Sequence, residues 1–225
     1  MKSAFGVPVV EAALVSCEKL NASLKSLFLR LESTTDTRNG SIPTAVVKVG
    51  VYESPFNLFA RNETPIQELR YFCLNTLAGV ISRLNGYGDT DMRKLRIFAH
   101  SWFHLTRHGG YTTAHYHPMA SWSGVYCVDP GDAVAGHCNS GAFRILDTRP
   151  GAGMYVDPGN SHLTASFALG AVAYFFQPGQ LLLFPSYLMH EVSPYLGKRE
   201  RVTVAFNAWV REAGDAADMP FVRAR

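Results

Sequence analysis

Cysteine is scarce in this 225-residue chain and poorly placed for metal or redox work. The four residues, Cys17, Cys73, Cys127 and Cys138, show no paired spacing. No zinc knuckle and no Cys-x-x-Cys motif exists, which excludes those chemistries. Cys17 and Cys73 fall on apolar stripes of helical period, where a thiol serves as a small core side chain. Charge is also thin, at 17% of residues with a formal net of +3. Lys and Arg are scattered apart from Lys198-Arg199-Glu200-Arg201, which argues against a nucleic-acid footprint. No basic segment followed by an apolar core opens the chain, and no apolar run reaches membrane-spanning length. There is no internal repeat, low-complexity tract or evident linker. These absences lead us to expect a cytoplasmic protein without a membrane or nucleic-acid partner.

The sequence does contain 47% hydrophobic residues, enough to bury a sizeable core. We read 1–225 as a single domain: a helical support region over 1–92, a β core over 93–211 and a tail over 212–225. Val7 to Val10 reads as a short first strand. Over 11–32, Leu14, Cys17, Leu20, Leu24, Leu27, Phe28 and Leu31 recur every three or four residues, which predicts a helix. Ala45 to Tyr52 predicts a short strand. A second helix is predicted from Thr64-Pro65, with Thr64 as N-cap and Gln67 completing a capping box, to Asn85-Gly86. After about residue 93 the period becomes two. Short strands are predicted over 95–104, 111–117, 121–128, 142–147, 163–168, 171–176, 180–184, 188–193 and 200–210, separated by Gly- and Pro-rich turns. Many short strands of this kind form a sandwich or barrel, with the helices bracing the outer face of a sheet.

The chemistry centres on Gly109-Gly110-Tyr111-Thr112-Thr113-Ala114-His115-Tyr116-His117-Pro118. Side chains two apart in a strand share a face, so His115 and His117 project together. His190 follows a Pro178-Gly179 turn and an apolar strand that Pro185 ends. Three convergent imidazoles would make a metal site. Taken singly, each could instead be a hydrogen-bonded histidine. Further on, Arg201, Thr203 and Asn207 share one strand face while Val202, Val204 and Phe206 share the other. The Arg/Thr face can bind a carboxylate, through a bidentate guanidinium fork and one hydroxyl. An exposed arginine on a wet strand face is the alternative.

The ordered set is His-x-His, Ser123-Gly124-Val125-Tyr126, the stretch Gly141 to Arg149, Pro178 to Ser186, His190, Arg201 and Phe206-Asn207. It resembles the 2-oxoglutarate/Fe(II) oxygenases of bacteria and phages, within the 2-oxoglutarate dioxygenase superfamily. The match covers about residues 95–210. The resemblance implies a mainly β fold: a double-stranded β-helix, a cupin-like jelly roll, with the two N-terminal helices on the outer face of its major sheet. It implies Fe(II) held by His115, His117 and His190 near an open end, with O₂ and 2-oxoglutarate as co-substrates. It implies Arg201, with Thr203 as neighbour, on the distal carboxylate of 2-oxoglutarate, and Tyr126 adding a hydrogen bond to that molecule. The reaction implied is decarboxylation of 2-oxoglutarate to succinate and CO₂, coupled to C–H oxidation, by default hydroxylation, of a substrate that is a small molecule rather than a protein.

The sequence departs from the superfamily at one position. His117 stands where an aspartate or glutamate usually completes a two-His-one-carboxylate triad. Three readings follow: a three-histidine centre; one ligand from the pair with the other behind it; or a carboxylate such as Asp147 or Asp129 arriving from elsewhere. A three-histidine metalloenzyme that does not use 2-oxoglutarate, or a non-catalytic β-sandwich binding module, fits the same histidines. Two further stretches divide between roles. His100, Trp102 and His104 line either a pocket or the core, and Arg149 meets either substrate or a surface carboxylate. Trp122 and Tyr116 read as packing residues, and His137 and Cys138 have no partners at zinc spacing. Oligomeric state is open, a homodimer included.

Overall fold

A computed structural model describes residues 6–34, 46–132, 139–149, 151–164 and 167–213. Cys138 and His137, and residues 214–225 of the tail, lie outside them. The elements in chain order are β1 (Val10–Ala13), α1 (Glu18–Thr34), β2 (Lys48–Glu53), α2 (Thr64–Asn85), the short α3 (Asp89–Arg93), β3 (Leu95–His115), β4 (Trp122–Asp129), β5 (Phe143–Leu146), β6 (Ala171–Tyr174), β7 (Gln180–Pro185), β8 (His190–Val192) and β9 (Arg201–Glu212).

All strand pairing is antiparallel. Hydrogen bonding runs in the order β1-β7-β4-β9-β3-β8-β5-β6, with β2 added beside β3. One strand belongs to both layers of the jelly roll. The first part of β3, Leu95 to Thr106, pairs with β9, and its last part, Thr112 to His115, pairs with β8. Gly109 and Gly110 lie between, where the sequence suggested two strands. Gly109 has φ +77°, and a Cβ on Gly110 would lie 2.6 Å from the Gly50 carbonyl oxygen, so both positions need glycine.

Strand alternation supplies two cores. Phe103 and Leu105, Tyr126 and Val128, Leu181 and Leu183, and Val202, Val204, Phe206 and Ala208 face the helices. They meet Leu24, Leu27 and Phe28 of α1 and Ile66, Leu69, Cys73 and Leu77 of α2; Phe28 stacks on Phe103 with ring centroids 4.1 Å apart. The other face of β4 and β7 turns inward. There Cys127, Leu182 and Phe184 pack against Phe143 and Ile145 of the opposite layer. Burial on both faces explains why β7 reads as an unbroken apolar run. The helices therefore brace the outer face of the major sheet, as expected.

Three sequence expectations are corrected. The first helix begins at Glu18, because Val10 to Ala13 instead extend the sheet edge along β7, and Ser16 at φ 57° breaks the path between them. The N-cap of α2 is Glu63, not Thr64; its carbonyl accepts from the Ile66 and Gln67 amides, while the Gln67 side chain turns back to the Arg61 carbonyl. No strand occupies the described part of 163–168.

Gly124 belongs to the Ser-Gly-Val-Tyr stretch for a packing reason. A Cβ there would sit 2.4 Å from the Phe206 ring and 2.9 Å from Leu183 Cδ2. Gly124→Ala is expected to destabilise the protein by about 1–3 kcal/mol, the usual range for overpacking. Chemical denaturation of the two proteins would measure it, and an unchanged midpoint would show that Phe206 can move aside.

Candidate active site

His115 ends β3 and pairs directly with His190, which begins β8. His117 lies two residues past the strand, where its amide donates to the Ser186 carbonyl at 3.0 Å and turns its ring back. The ring centroids are 4.3 Å apart for His115–His190 and 5.1 Å for each pair with His117. One nitrogen from each ring lies within 4.8 Å of the other two. Strand parity predicted that His115 and His117 share a face; a strand end and a backbone hydrogen bond bring the rings together with His190.

Two of the rings are fixed from behind. His115 Nδ1 lies 2.8 Å from the Thr113 carbonyl and His190 Nδ1 2.8 Å from the Leu188 carbonyl. A carbonyl only accepts, so each Nδ1 carries a hydrogen and each Nε2 presents a lone pair. His117 has no such partner among the described residues. Burial holds all three rings neutral. It depresses His117 to about 2 and His190 to about 3, helped by the neighbouring imidazoles, and lowers His115 as well. Three neutral nitrogen donors from one side suit a divalent transition metal and leave its far side open.

The two carboxylates considered as replacement ligands are engaged elsewhere. Asp129 accepts from Lys25 at 2.7 Å, and Asp147 from Arg149 at 2.9 and 2.8 Å. Arg149 accordingly meets a surface carboxylate. Among the described residues, the only group of three or more potential ligands is His115, His117 and His190.

The histidines open into a cavity of about 200 Å³. Arg201 and Thr203 line it, and both are almost wholly buried, at 4% and 2% exposure. Arg201 lies across from Thr106, and Thr203 across from His104. The Arg201 guanidinium sits 5.8 Å from the Phe176 ring centre, with no ion-pair partner among the described residues. Burial works against its charge and lowers its pKa. A buried, unpaired guanidinium calls for an anion.

Tyr126 does not reach the cavity. Parity along β4 turns it towards the helices, where its hydroxyl donates to Asn21 Oδ1 at 2.8 Å. His100, Trp102 and His104 do line the cavity. Trp122 is half-buried against the helix-side core, whereas Tyr116 is 50% exposed and packs little.

Sequence reasoning missed two groups. Lys48 and Glu53 of β2 line the cavity and pair at 2.6 Å, and Glu53 Oε2 also lies 2.7 Å from His104 Nε2. Five residues apart in a regular strand, they would face opposite ways. A register shift around Gly50, at φ 60°, brings them to the same side. The second group joins Ser123 to Ser186 at 2.8 Å and to Asn207 Oδ1 at 2.7 Å. It ties three of the quoted motifs together beside His117.

Comparison with known proteins agrees with this arrangement. Residues 100–207 match the family model described as "Putative 2OG-Fe(II) oxygenase". None of the curated proteins matches the sequence. Among solved structures, a Pseudomonas putida prolyl-4-hydroxylase is 15% identical with a TM-score of 0.51, covering 92% of this chain and 93% of that one. The non-heme alpha ketoglutarate dependent epimerase SnoN, from nogalamycin biosynthesis, is 14% identical with a TM-score of 0.57, covering 96% and 84%. HygX from Streptomyces hygroscopicus, with nickel, 2-oxoglutarate and hygromycin B bound, is 16% identical with a TM-score of 0.51, covering 90% and 82%. At these identities the likeness speaks for the fold, a jelly roll. The matched stretch of sequence runs from the cavity residue His100 to the cavity residue Asn207 and includes all three imidazoles and the buried arginine. Over that core, residues 100–207, the chain is similar to the 2OG-Fe(II) oxygenases.

Proposed function

We infer that His115, His117 and His190 hold Fe(II), and that Arg201 and Thr203 bind the distal carboxylate of 2-oxoglutarate. The observation that carries this reading is a buried guanidinium, without a counter-ion among the described residues, lining the same cavity as three convergent imidazoles. Iron bound there supplies the O₂ chemistry that couples decarboxylation of 2-oxoglutarate, to succinate and CO₂, to hydroxylation of a substrate C–H bond. The protein's own residues do the positioning. Arg201 offers two parallel N–H donors and Thr203 a hydroxyl, which fix one end of the co-substrate. The Thr113 and Leu188 carbonyls hold two ligand rings in place. Phe143, Phe184 and Val125 keep the wall between anchor and ligands apolar, which strengthens each polar contact inside.

The centre also carries one more positive charge than a triad with a carboxylate would. That favours a dianionic co-substrate. We further infer a small-molecule substrate, since the cavity is modest in size and HygX, on the same fold, has hygromycin B bound. Residence in the cytoplasm suits three described cysteines that are free and buried, and no helix among the described residues is long and apolar enough to cross a membrane.

Anaerobic titration tests the reading. Adding Fe(II) and then 2-oxoglutarate is expected to produce a weak visible charge-transfer band that saturates at one equivalent, and admitting O₂ to produce succinate. A protein that binds iron but gives neither band nor succinate would overturn it.

A further inference from the structure

Strand β2 lies outside the matched stretch 100–207, yet it brings two opposite charges into the cavity. Lys48 and Glu53 are 19% and 20% exposed, so each is largely desolvated but still open on one side. Both partners of Glu53, Lys48 and His104, use Oε2. Oε1 has no partner among the described residues. Lys48 Nζ has one acceptor there and three hydrogens to give. Burial opposes the charge on Glu53, but the bonds from His104 and Lys48 prevail and hold its carboxyl at about 2. Because that carboxylate only accepts, His104 Nε2 must donate to it. Trp102 Nε1 lies 3.0 Å from the same nitrogen, with its N–H directed at the His104 ring.

The wall therefore presents spare ammonium N–H groups and a spare carboxylate oxygen close together. Beside them, Phe56 and Trp102 form an aromatic surface with ring centroids 4.8 Å apart, suited to an ammonium group. A ligand with a single charge would leave that charge uncompensated against a pair already neutral, at a desolvation cost. A ligand carrying both charges on one carbon adds no net charge and meets each spare group with its complement.

We propose that Lys48 and Glu53 bind the head group of the prime substrate, and that this substrate is a free α-amino acid whose side chain extends towards the three imidazoles. The proposal rests on the oxygenase reading, which supplies the reaction. One oxygen atom of O₂ enters the substrate C–H bond to give C–OH. The other enters 2-oxoglutarate, which leaves as succinate and CO₂.

The test uses the full chain loaded anaerobically with Fe(II) and 2-oxoglutarate, then given O₂ and the proteinogenic amino acids one at a time. Each is run beside its N-acetyl and carboxamide forms. At least one free amino acid is expected to raise succinate formation about tenfold or more over the rate without it, and neither blocked form to do so. Lys48→Met and Glu53→Gln should each bring that ratio down towards one, and Glu53→Asp, which keeps the charge, should restore part of it. Thermal unfolding of the variants checks that they fold. Equal stimulation by the blocked forms, or stimulation that survives both substitutions, overturns the proposal. So does a protein that binds 2-oxoglutarate yet responds to no free amino acid. Failure to bind 2-oxoglutarate would overturn the oxygenase reading instead. Calorimetric titration of the same amino acids into wild type and Lys48→Met would then decide the head-group site alone, with no binding to wild type overturning it.

Discussion

Replacing His190 with alanine is expected to abolish stoichiometric Fe(II) binding and, with it, succinate formation. A structural four-ligand zinc site is worth roughly 10–16 kcal/mol, so one imidazole contributes roughly 3 kcal/mol, about a hundredfold or more in metal affinity. His190 is 3% exposed and its ring lies 5.0 Å from that of Phe184 and 5.3 Å from that of Phe143, so nothing nearby can replace it as a donor. The substitution also leaves the Leu188 carbonyl without its ring donor. His115→Ala should behave alike. His117→Ala should lose less metal affinity, because that ring has no backbone partner holding it in position. His117→Asp goes further and offers the anionic oxygen that the superfamily usually places there. Anaerobic titration with Fe(II), followed by metal analysis after desalting, would rank the four proteins. An order in which His117 proves indispensable and His190 dispensable would contradict the assignment of these rings.

Arg201→Met is expected to weaken 2-oxoglutarate binding by roughly a hundredfold or more, in line with the 2–5 kcal/mol cost of truncating one member of a buried charge pair. Fe(II) affinity should change little by comparison, since the guanidinium contributes no ligand atom. A second effect runs in the opposite direction. Without co-substrate, Arg201 is a buried cation with no ion-pair partner among the described residues. Replacing it with an apolar side chain of similar length removes that desolvation cost. The variant should therefore melt no lower than wild type without ligand, and should no longer be stabilised by added 2-oxoglutarate. Unfolding curves with and without the co-substrate separate the two contributions. If Arg201→Met still gains stability from 2-oxoglutarate, the anchor lies elsewhere, and Lys48 becomes the cation to examine.

Much of this site could be read from residue order alone, for definite reasons. The His115/His117 pair and the Arg201/Thr203 face follow from strand parity, which is strictly local. The helix stripes around Leu24 and Leu69 follow from a period of three to four and predict a buried face without any knowledge of what covers it. What parity could not supply was any position where the chain loses phase. Gly50 breaks the alternation of β2 where its register against β3 shifts, and so Lys48 and Glu53 were invisible as a pair. Tyr126 was misassigned because its motif neighbours line the cavity, while its own parity sends it to Asn21. The start of α1 was misplaced because an apolar segment at a free sheet edge satisfies the helical and extended patterns equally over so few residues. His100, Trp102 and His104 could be assigned to one face, but only the two-layer arrangement shows that this face encloses space rather than packing.

The strand shared by both layers has a further consequence. Thr106, opposite Arg201, and His115, opposite His190, lie on one continuous stretch of backbone that turns the corner at two glycines. The gap between anchor and ligand cluster is thus set by the number of residues between them. Inserting or deleting one residue there would rotate His115 out of register and, on the proposed reading, change the length of acid that fits. On the reading proposed for Arg201 and the three histidines, the backbone itself would measure the co-substrate.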